Sequence, residues 1–233
     1  MKNKQIIILA GGFGTRLRSV LNGVPKALAN INGTPFLKFI LDNLVLQGFN
    51  DIIFSLHYEA NQIVEFVENL HLNSFGDVKI RFVVEDRPLG TGGAIANVVF
   101  ATEIESEFFV TNADTFIDSD IEKLAIGIPN IIGVVKVNET SRYGSVSFNN
   151  DGKVFKFSEK KFTSGEGYIN AGIYKLEKRF FENWDFTPFS LENDLFPTMV
   201  KNGILNAIIL NTNFIDIGVP EDYNRFCEMK KLS

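Results

Sequence analysis

The chain has 233 residues, of which 45% are hydrophobic and 22% are charged, and its formal net charge is −5. A chain of this length buries about 70% of its surface on folding, and this composition excludes a disordered chain, collagen and a coiled coil. The acidic balance without a basic block argues against a nucleic-acid partner, and the single cysteine, Cys227, excludes an intramolecular disulfide and a multi-thiolate metal site.

The first predicted element is a strand near the N-terminus. After the first few residues comes Gln5–Ala10, a short isoleucine-rich run that is followed by glycines, as buried parallel strands often are. This run is too short to cross a membrane, and no stretch of about 20 apolar residues follows it. We therefore expect a cytoplasmic protein without a signal peptide and without a membrane partner.

Helix-like and strand-like segments then alternate through the first half of the chain. Pro35 begins an amphipathic segment, Phe36 to Gln47, whose apolar residues recur at helical spacing, and Gly48 is suited to end it. The segments that follow are a strand at Asp51–His57, a helix at Ala60–Leu70, a strand at Val78–Glu85, a helix at Thr91–Ala101 and a strand at Glu107–Val110. This alternation predicts an α/β sheet with right-handed crossovers.

The second half is richer in strands joined by short turns. Its predicted elements are strands at Ile131–Val137, Tyr143–Phe148, Val154–Phe157 and Tyr168–Leu176, and helices near Leu191–Lys201 and Glu221–Lys231. No linker or repeat separates the halves. We predict one Rossmann-like α/β domain over residues 1–233, with a mixed, mostly parallel central sheet, flanking helices and added β-hairpins in the C-terminal half. Ligands of such sheets bind beyond the carboxyl ends of the strands.

A glycine-rich loop, Leu9-Ala10-Gly11-Gly12-Phe13-Gly14-Thr15-Arg16, follows the first predicted strand. Glycines let backbone N–H groups converge on an anion, although a tight strand-to-loop turn also uses glycine. Arg16 and the nearby Pro25-Lys26 place two cations close to these amides. The combination favours the binding of a triphosphate over a purely structural turn.

This loop differs from two widespread phosphate-binding loops. A P-loop requires Gly-x-x-x-x-Gly-Lys-Ser/Thr, whereas Gly11 is followed five positions later by Arg16. A dinucleotide fingerprint that starts at Gly12 requires a small residue where Leu17 stands. The loop therefore argues against a P-loop NTPase and against a redox enzyme of the Rossmann type.

Seven ordered blocks resemble the sugar-1-phosphate nucleotidylyltransferase family. They are Gly12–Arg16 with Pro25-Lys26, Pro88–Ala94, Asn112–Asp114, Arg142–Gly144, Phe157–Lys160, Ile169–Tyr174 and Phe214–Gly218. Phe189–Glu192 and Phe214–Tyr223 are most similar to the branch of D-glycero-α-D-manno-heptose 1-phosphate guanylyltransferases. One position departs from the family, because Ala113 stands where a glycine is usual. If this backbone packs close to the ligand, the methyl group narrows the pocket, and because Asp114 is kept we expect retuning of the activity and not its loss.

The resemblance implies a reaction between two polyanions. An oxygen of a sugar 1-phosphate attacks the α-phosphorus of a nucleoside triphosphate, and pyrophosphate leaves. The branch implies GTP and a heptose 1-phosphate as substrates, a GDP-sugar for cell-surface polysaccharide synthesis as the product, and Mg²⁺ as the cofactor. Catalysis of such a reaction consists mostly of charge neutralisation and in-line positioning.

The same resemblance assigns the site residues by their position in the motifs. We expect Arg16, Lys26 and Asp114 to be catalytic, and Asp114 and Asp216 to bind the metal. The residues expected at the nucleotide are Leu9, Ala10, Gly11, Gly12, Gly14, Thr15, Arg16, Lys26, Glu85, Gly90, Thr91 and Asn112. Those expected at the sugar phosphate are Gly144, Glu159, Lys160 and Asn170. Residues 1–130 thus form a nucleotide-binding half and residues 131–233 a sugar-phosphate-binding half.

Glu85 is the candidate for reading the base. Guanine presents two adjacent donors, N1–H and the N2 amine, and a carboxylate can accept from both, whereas uracil presents one N–H between two carbonyls. A main-chain carbonyl can serve guanine in the same way. Glu85 beside Arg87 is also compatible with a solvated charge at the end of a strand.

Several alternatives stay open at this point. In the same class are a mannose-1-phosphate guanylyltransferase and a uridylyl- or cytidylyltransferase. In a different class is a non-catalytic nucleotide-sugar-binding or regulatory subunit, although the full set of Arg16, Lys26, Asp114 and Asp216 argues against it. The oligomeric state is also open, with a homodimer as one option. Two other features receive structural interpretations: His57 as a surface or strand-end residue, and Asp118-Ser119-Asp120 as helix caps.

Overall fold

The computed structural model describes residues 4–14, 17, 21, 23–158 and 165–231. Their strands, numbered in chain order, are β1 (Gln5–Leu9), β2 (Asn30–Ile31), β3 (Thr34–Pro35), β4 (Asp51–Leu56), β5 (Lys79–Val84), β6 (Glu107–Asn112), β7 (Thr115–Ile117), β8 (Ile131–Val137), β9 (Ser145–Phe148), β10 (Val154–Ser158), β11 (Gly167–Glu177), β12 (Asn206–Ile209) and β13 (Phe214–Asp216).

The helices of these residues are α1 (Phe36–Leu46), α2 (Ala60–Ser74), α3 (Gly90–Ala101), α4 (Lys123–Ile126), α5 (Phe196–Lys201) and α6 (Pro220–Met229). Short 3₁₀ turns cover Lys26–Leu28 and Lys178–Phe180, and a π-helical turn covers Leu191–Leu195. Within the described ranges, no helix is long and apolar enough to cross a membrane.

A nine-stranded mixed sheet lies at the centre of the fold. Its order is β10-β9-β11-β6-β1-β4-β5, with β8 beside β11 and β12 beside β8. Strands β6, β1, β4 and β5 run parallel, whereas β11 joins β6 in the antiparallel direction. These four neighbouring parallel strands come from the alternating first half of the chain, and the antiparallel strands of the sheet join them from the second half, which confirms the predicted fold class.

Strand β1 is buried on both faces of the sheet, which explains its unbroken run of isoleucine. Ile6 and Ile8 face a core that contains Phe36 of α1 and Phe226 of α6. Ile7 faces the opposite core, which contains Ile95 of α3. Successive side chains of a strand point to opposite faces, so helices cover both sides and the strand ends are left for ligand binding.

The predicted helix at Leu191–Lys201 is two elements in the structure. A π-helical turn comes first, and the N–H of Phe196 donates to the carbonyl of Leu191 at its end. Pro197 then stands in the first turn of α5. Proline has no N–H to donate to the carbonyl four residues earlier, so the regular α-helical ladder cannot run through this position.

Short strands are the elements that the sequence pattern did not predict. Strands β2 and β3 form a two-residue hairpin ladder, β12 pairs in parallel with β8, and β7 pairs with β13. Segments of two to four residues are too short to display a period of two. The pairing of β7 with β13 has consequences for the site, because each strand adjoins one of the predicted metal-binding aspartates.

Candidate active site

Two adjoining cavities lie at the carboxyl ends of the parallel strands, and both are lined by Leu9, Gly12 and Asp114. The Lys26 cavity, of about 180 Å³, is further lined by Ala10, Gly14, Pro25, Lys26, Ala27, Ala113 and Gly218. The Glu85 cavity, of about 360 Å³, is further lined by Gly11, Phe13, Ser55, His57, Glu85, Pro88, Leu89, Gly90, Thr91, Ala94 and Asn112. All the described residues that were predicted at the nucleotide therefore line one cavity or the other.

Lys26 makes ion pairs with both predicted metal ligands. Its Nζ lies 2.6 Å from Oδ2 of Asp114 and 3.5 Å from Oδ1 of Asp216. The Lys26 side chain is only 11% exposed, whereas that of Asp114 is 36% exposed. One cation is thus held between two carboxylates at the edge of a cavity that stays open to a ligand.

The pairing of β7 with β13 brings these two aspartates together. Asp114 lies between β6 and β7, and Asp216 is the last residue of β13 and pairs with Thr115. The N–H of Gly218 donates to Oδ1 of Asp216 at 2.7 Å. A Cβ at Gly218 would lie 2.7 Å from that oxygen and 3.1 Å from Nζ of Lys26, so a larger residue there would displace the Asp216 carboxylate from this position.

The two carboxylates fit a divalent metal only in combination with other oxygen ligands. Among the described residues, no group of three or more His, Cys, Asp or Glu side chains could hold a metal ion. Mg²⁺ commonly uses one or two carboxylates together with substrate phosphates and water. Asp114 and Asp216 meet that requirement, and a metal at this position would compete with the Lys26 ammonium for the same oxygens.

Ala113, which replaces the usual glycine of the family motif, lies in the wall of the Lys26 cavity. It is 4% exposed, and its N–H donates to the carbonyl of Leu9 at 3.0 Å. Ala113 thus lies at the pocket, and the effect of its methyl group on the ligand stays a prediction.

Glu85 is buried in the wall of its cavity. It is 8% exposed, and its two carboxylate oxygens accept hydrogen bonds from Ser55 Oγ at 3.1 Å and from the N–H of Leu89 at 3.2 Å. Burial raises the pKa of Glu85, while these two hydrogen bonds and the nearby His57 oppose the increase. Each oxygen can accept a further hydrogen bond from a ligand.

The alternative interpretation of Glu85, as a solvated charge beside Arg87, is wrong. The Arg87 guanidinium donates instead to the carbonyl of Phe186 at 3.0 Å. Glu85 directly follows β5 and lines the cavity beyond the strand ends, so it is not a residue in bulk solvent.

Two further residues of this cavity, His57 and Phe13, were not predicted to be functional. His57 follows β4 directly, as expected for a strand-end residue, and its Nδ1 lies 3.1 Å from the carbonyl oxygen of Glu85. Its ring packs edge-on against the ring of Phe13, with 5.6 Å between centroids. The position of His57 at the carboxyl end of a parallel strand is the signal that could have placed it at this cavity.

The predicted sugar-phosphate residues are brought together in part. The N–H of Asn170 donates to the carbonyl of Gly144 at 2.8 Å. The Asn170 side chain donates to Tyr174 Oη at 2.8 Å and accepts from the N–H of Gly172 at 2.9 Å, so both ends of the amide are oriented. Burial raises the pKa of Tyr174 well above its usual value, which keeps the phenol neutral.

Four predicted site residues lie outside the described residues. They are Thr15, Arg16, Glu159 and Lys160.

Asp118 and Asp120 do not cap a helix, so that prediction is wrong. Asp118 accepts hydrogen bonds from Thr212 Oγ1 at 2.8 Å and from the N–H of Asn213 at 3.0 Å, and Asp120 accepts from the N–H of Asn211 at 2.8 Å. Both aspartates thereby fix the loop that leads into β13 and Asp216.

Comparisons with known proteins give one consistent result. The sequence matches the family described as Nucleotidyl transferase over residues 5–230. It is 39% identical over 229 residues to a D-glycero-α-D-manno-heptose 1-phosphate guanylyltransferase of Campylobacter jejuni, across 95% of this chain and 98% of the relative. A mannose-1-phosphate guanyltransferase of Emericella nidulans is 33% identical, with 93% of this chain and 61% of that relative covered.

Two crystal structures of one protein also resemble this chain in sequence and in fold. Crystal structures of HddC from Yersinia pseudotuberculosis have 38% sequence identity, and the match covers 97% of this chain and 99% of HddC. The TM-score is 0.85 for one crystal structure and 0.84 for the complex with GMP-PN.

Proposed function

Because the chain belongs to the nucleotidyl transferase family, we propose that it transfers GMP from GTP to a sugar 1-phosphate and releases pyrophosphate. The proposed acceptor is D-glycero-α-D-manno-heptose 1-phosphate, and the product is the corresponding GDP-sugar. The observation that carries this proposal is the convergence of Lys26, Asp114 and Asp216 beside the Glu85 cavity. The likeness to heptose 1-phosphate guanylyltransferases over nearly their whole length supports the choice of acceptor.

The proposed reaction is an in-line displacement at the α-phosphorus. A phosphate oxygen of the sugar 1-phosphate forms a new P–O bond, and the bond to the leaving pyrophosphate breaks. The amides of the Gly11–Gly14 loop and the Lys26 ammonium neutralise charge on the triphosphate, and Arg16 holds the departing pyrophosphate. Asp114 and Asp216 would hold Mg²⁺, which when bound neutralises further charge on the phosphate oxygens.

The Glu85 cavity is the proposed site of the guanine base. The two oxygens of Glu85 can accept hydrogen bonds from N1–H and from the N2 amine of guanine. Their existing bonds to Ser55 and Leu89 fix the plane of the carboxylate without using all of its lone pairs. Gly90, Thr91 and Asn112 complete the wall of the same cavity.

The acceptor is proposed to bind on the side of the second half of the chain. Lys160 neutralises the sugar phosphate, while Glu159 and Asn170 bind sugar hydroxyls and the N–H of Gly144 provides a further contact. The bond between Asn170 and Gly144 supports a common location for those two residues. Residues 1–130 and 131–233 thus act as nucleotide-binding and sugar-phosphate-binding halves. We also propose a cytoplasmic location, since charged nucleotides and sugar phosphates are retained inside the cell.

A pyrophosphate-release matrix tests the proposal. Each of four nucleoside triphosphates is combined with heptose, mannose and glucose 1-phosphates in the presence of Mg²⁺. We expect the highest kcat/KM for GTP with the heptose 1-phosphate, and loss of the signal when EDTA removes the metal. A preference for mannose 1-phosphate would assign the activity of the mannose-1-phosphate relatives instead. Nucleotide binding without turnover on any acceptor would indicate a non-catalytic subunit.

A further inference from the structure

We infer that Glu192 is a positioning residue that fixes the Thr91 hydroxyl as a hydrogen-bond acceptor toward the Glu85 cavity. Thr91 lines that cavity, and its Oγ1 lies 2.6 Å from Oε2 of Glu192. The inference rests on the proposed function in one respect, namely that this cavity receives part of a substrate.

The hydrogen bonds of the Thr91 hydroxyl leave one lone pair of its oxygen free to accept from a ligand. A threonine hydroxyl has one proton to donate and two lone pairs that accept. The proton is donated to Glu192, and one lone pair accepts from the N–H of Leu191 at 2.8 Å. Only the second lone pair is left, so Thr91 can bind an O–H or N–H of a ligand but cannot donate to a phosphate oxygen.

Glu192 is itself held in place by the turn that precedes it. Ser190 Oγ donates to the same Oε2 of Glu192 at 2.9 Å. Ser190 Oγ also accepts from the N–H groups of Glu192 and Asn193, each at 3.1 Å, and so caps the π-helical turn. The carboxylate therefore reaches Thr91 from an ordered segment.

The same segment is joined to the first turn of α3 through the main chain. The carbonyl of Phe189 accepts from the N–H groups of Gly92 and Gly93 at 3.0 and 3.1 Å, and its own N–H donates to the carbonyl of Leu89 at 3.0 Å. A Cβ at Gly92 would lie 2.2 Å from the Phe189 ring, so the two segments pack without a gap. The 189–192 segment and the cavity wall thus form one unit.

This arrangement gives the wall of the cavity a defined polarity. Glu85, when ionised, only accepts hydrogen bonds, and Glu192 makes Thr91 act in the same way. This part of the wall, formed by Glu85 and Thr91, therefore favours a substrate group that donates. Such a donor can come from the nucleotide, through a base N–H or a ribose hydroxyl, or from a hydroxyl of the sugar phosphate.

Four variants test the inference: Thr91→Val, Glu192→Leu, Glu192→Gln and the double variant Thr91→Val with Glu192→Leu. Loss of one hydrogen bond to a substrate should raise KM by about tenfold in Thr91→Val, and Glu192→Leu should come close to that value. The double variant should be no worse than Thr91→Val alone, because both changes act through one hydroxyl. Glu192→Gln should stay near wild type, since its amide oxygen can still accept from Thr91 and Ser190.

Separate KM values identify the source of the donor. An increase for GTP assigns the Thr91 contact to the nucleotide, and an increase for the sugar 1-phosphate assigns it to the acceptor; either result supports the inference. Unchanged KM values for both substrates in Thr91→Val, or additive effects in the double variant, would overturn it.

Ser190→Ala is the matched control for stability of the turn. It removes the cap and one of the two hydrogen bonds that Oε2 of Glu192 accepts, so the melting temperature should fall. The Thr91–Glu192 bond remains, so KM should rise less than in Glu192→Leu. An increase in KM as large as that of Glu192→Leu would show that Glu192 acts only through turn stability. If the wild type releases no pyrophosphate with any triphosphate, the proposed function fails; if the wild type is active and these variants match it, the inference alone fails.

Discussion

Two charged clusters lie at opposite ends of the parallel part of the sheet, and they differ in how far their carboxylates are buried. At the amino ends, Asp51 of β4 is 2% exposed, and Arg81 of β5 donates to its oxygens at 2.7 and 2.8 Å. Gln5 of β1 donates to the same carboxylate at 2.9 Å. At the carboxyl ends, Lys26 and Asp114 make an equally short pair, but it borders a cavity.

We infer from this difference that the Asp51 cluster is structural and that the Lys26 cluster serves the proposed reaction. The Asp51 cluster ties three neighbouring strands together, and removing one partner would leave a buried charge without compensation. The Lys26 cluster contributes less to stability because solvent reaches it and screens the charges. Its charges are available to a ligand, which is what transfer between two polyanions requires.

The largest effect should come from Asp114→Asn at the carboxyl end. Loss of a negatively charged metal ligand should lower kcat by about 10³-fold or more. The free energy of unfolding should change by less than about 1 kcal/mol, because the side chain is partly exposed. Pyrophosphate release and urea denaturation measure the two quantities. Turnover close to that of the wild type at ordinary Mg²⁺ concentrations would remove Asp114 from the metal site.

Arg81→Met should produce the opposite pattern at the amino end. The buried Asp51 carboxylate would lose its charged partner, so the free energy of unfolding should fall by about 3–5 kcal/mol. KM and kcat, measured well below the melting temperature, should stay near wild type. A large loss of kcat in the folded variant would contradict the division between the two ends.

Arg16→Ala tests the proposed contact between Arg16 and the leaving pyrophosphate. Charge grows on the pyrophosphate as it leaves, so this variant should lower kcat by about 10²-fold in the pyrophosphate-release assay. If Arg16→Ala changes only KM for the sugar phosphate, Arg16 serves the acceptor and not the leaving group.

Arg179→Ala is the matched control for the loss of an arginine side chain. The Arg179 guanidinium donates to Glu177 at 2.8 Å and lies 5.0 Å from the ring centroid of Phe180. Its side chain is 65% exposed, and it lines neither the Lys26 cavity nor the Glu85 cavity. The kcat of this variant should therefore stay near wild type, and a loss as large as that of Arg16→Ala would show that the effect is not specific to the site.

Glu85→Gln should give the smallest effect, and its effect should depend on pH. Loss of one acceptor for guanine should weaken the use of GTP by about 1–3 kcal/mol and reduce the preference for GTP over UTP. Because burial raises the pKa of Glu85, KM for GTP in the wild type should increase as the pH falls through that raised pKa. The variant should lack this dependence, and KM measured across the acid-to-neutral range compares the two.

The stability of the Glu85→Gln variant checks the direction of the pKa shift of Glu85. The raised pKa means that folding disfavours the ionised carboxylate, so the wild type loses stability as the pH rises through that pKa. Glu85→Gln should therefore gain stability relative to the wild type from acid to neutral pH.

If the Glu85→Gln variant keeps the wild-type selectivity between GTP and UTP, main-chain groups and not Glu85 recognise the base.

The sequence predicted most of the sheet and most of the cavity lining. Strand β1, the Gly11–Gly14 loop and helix α1 follow from local patterns, since isoleucine runs, glycines and helical spacing act on neighbouring residues. The roles of Lys26 and Asp114 came from motifs, and both residues line the Lys26 cavity. His57 was interpreted as a strand-end residue alone, because its approach to Glu85 depends on the pairing of β4 with β5.

By itself, the sequence determined the alternating α/β elements, the glycine-rich loop and the charged residues of the proposed reaction, because these depend on residues close together in the chain. The tertiary structure decided which of them meet. Strands β7 and β13, of three residues each, are held by their mutual pairing and carry Asp114 and Asp216 to Lys26. Thr91 and Glu192 likewise meet only because the Phe189 main chain closes on α3. Such contacts between distant segments depend on packing, which no local period records.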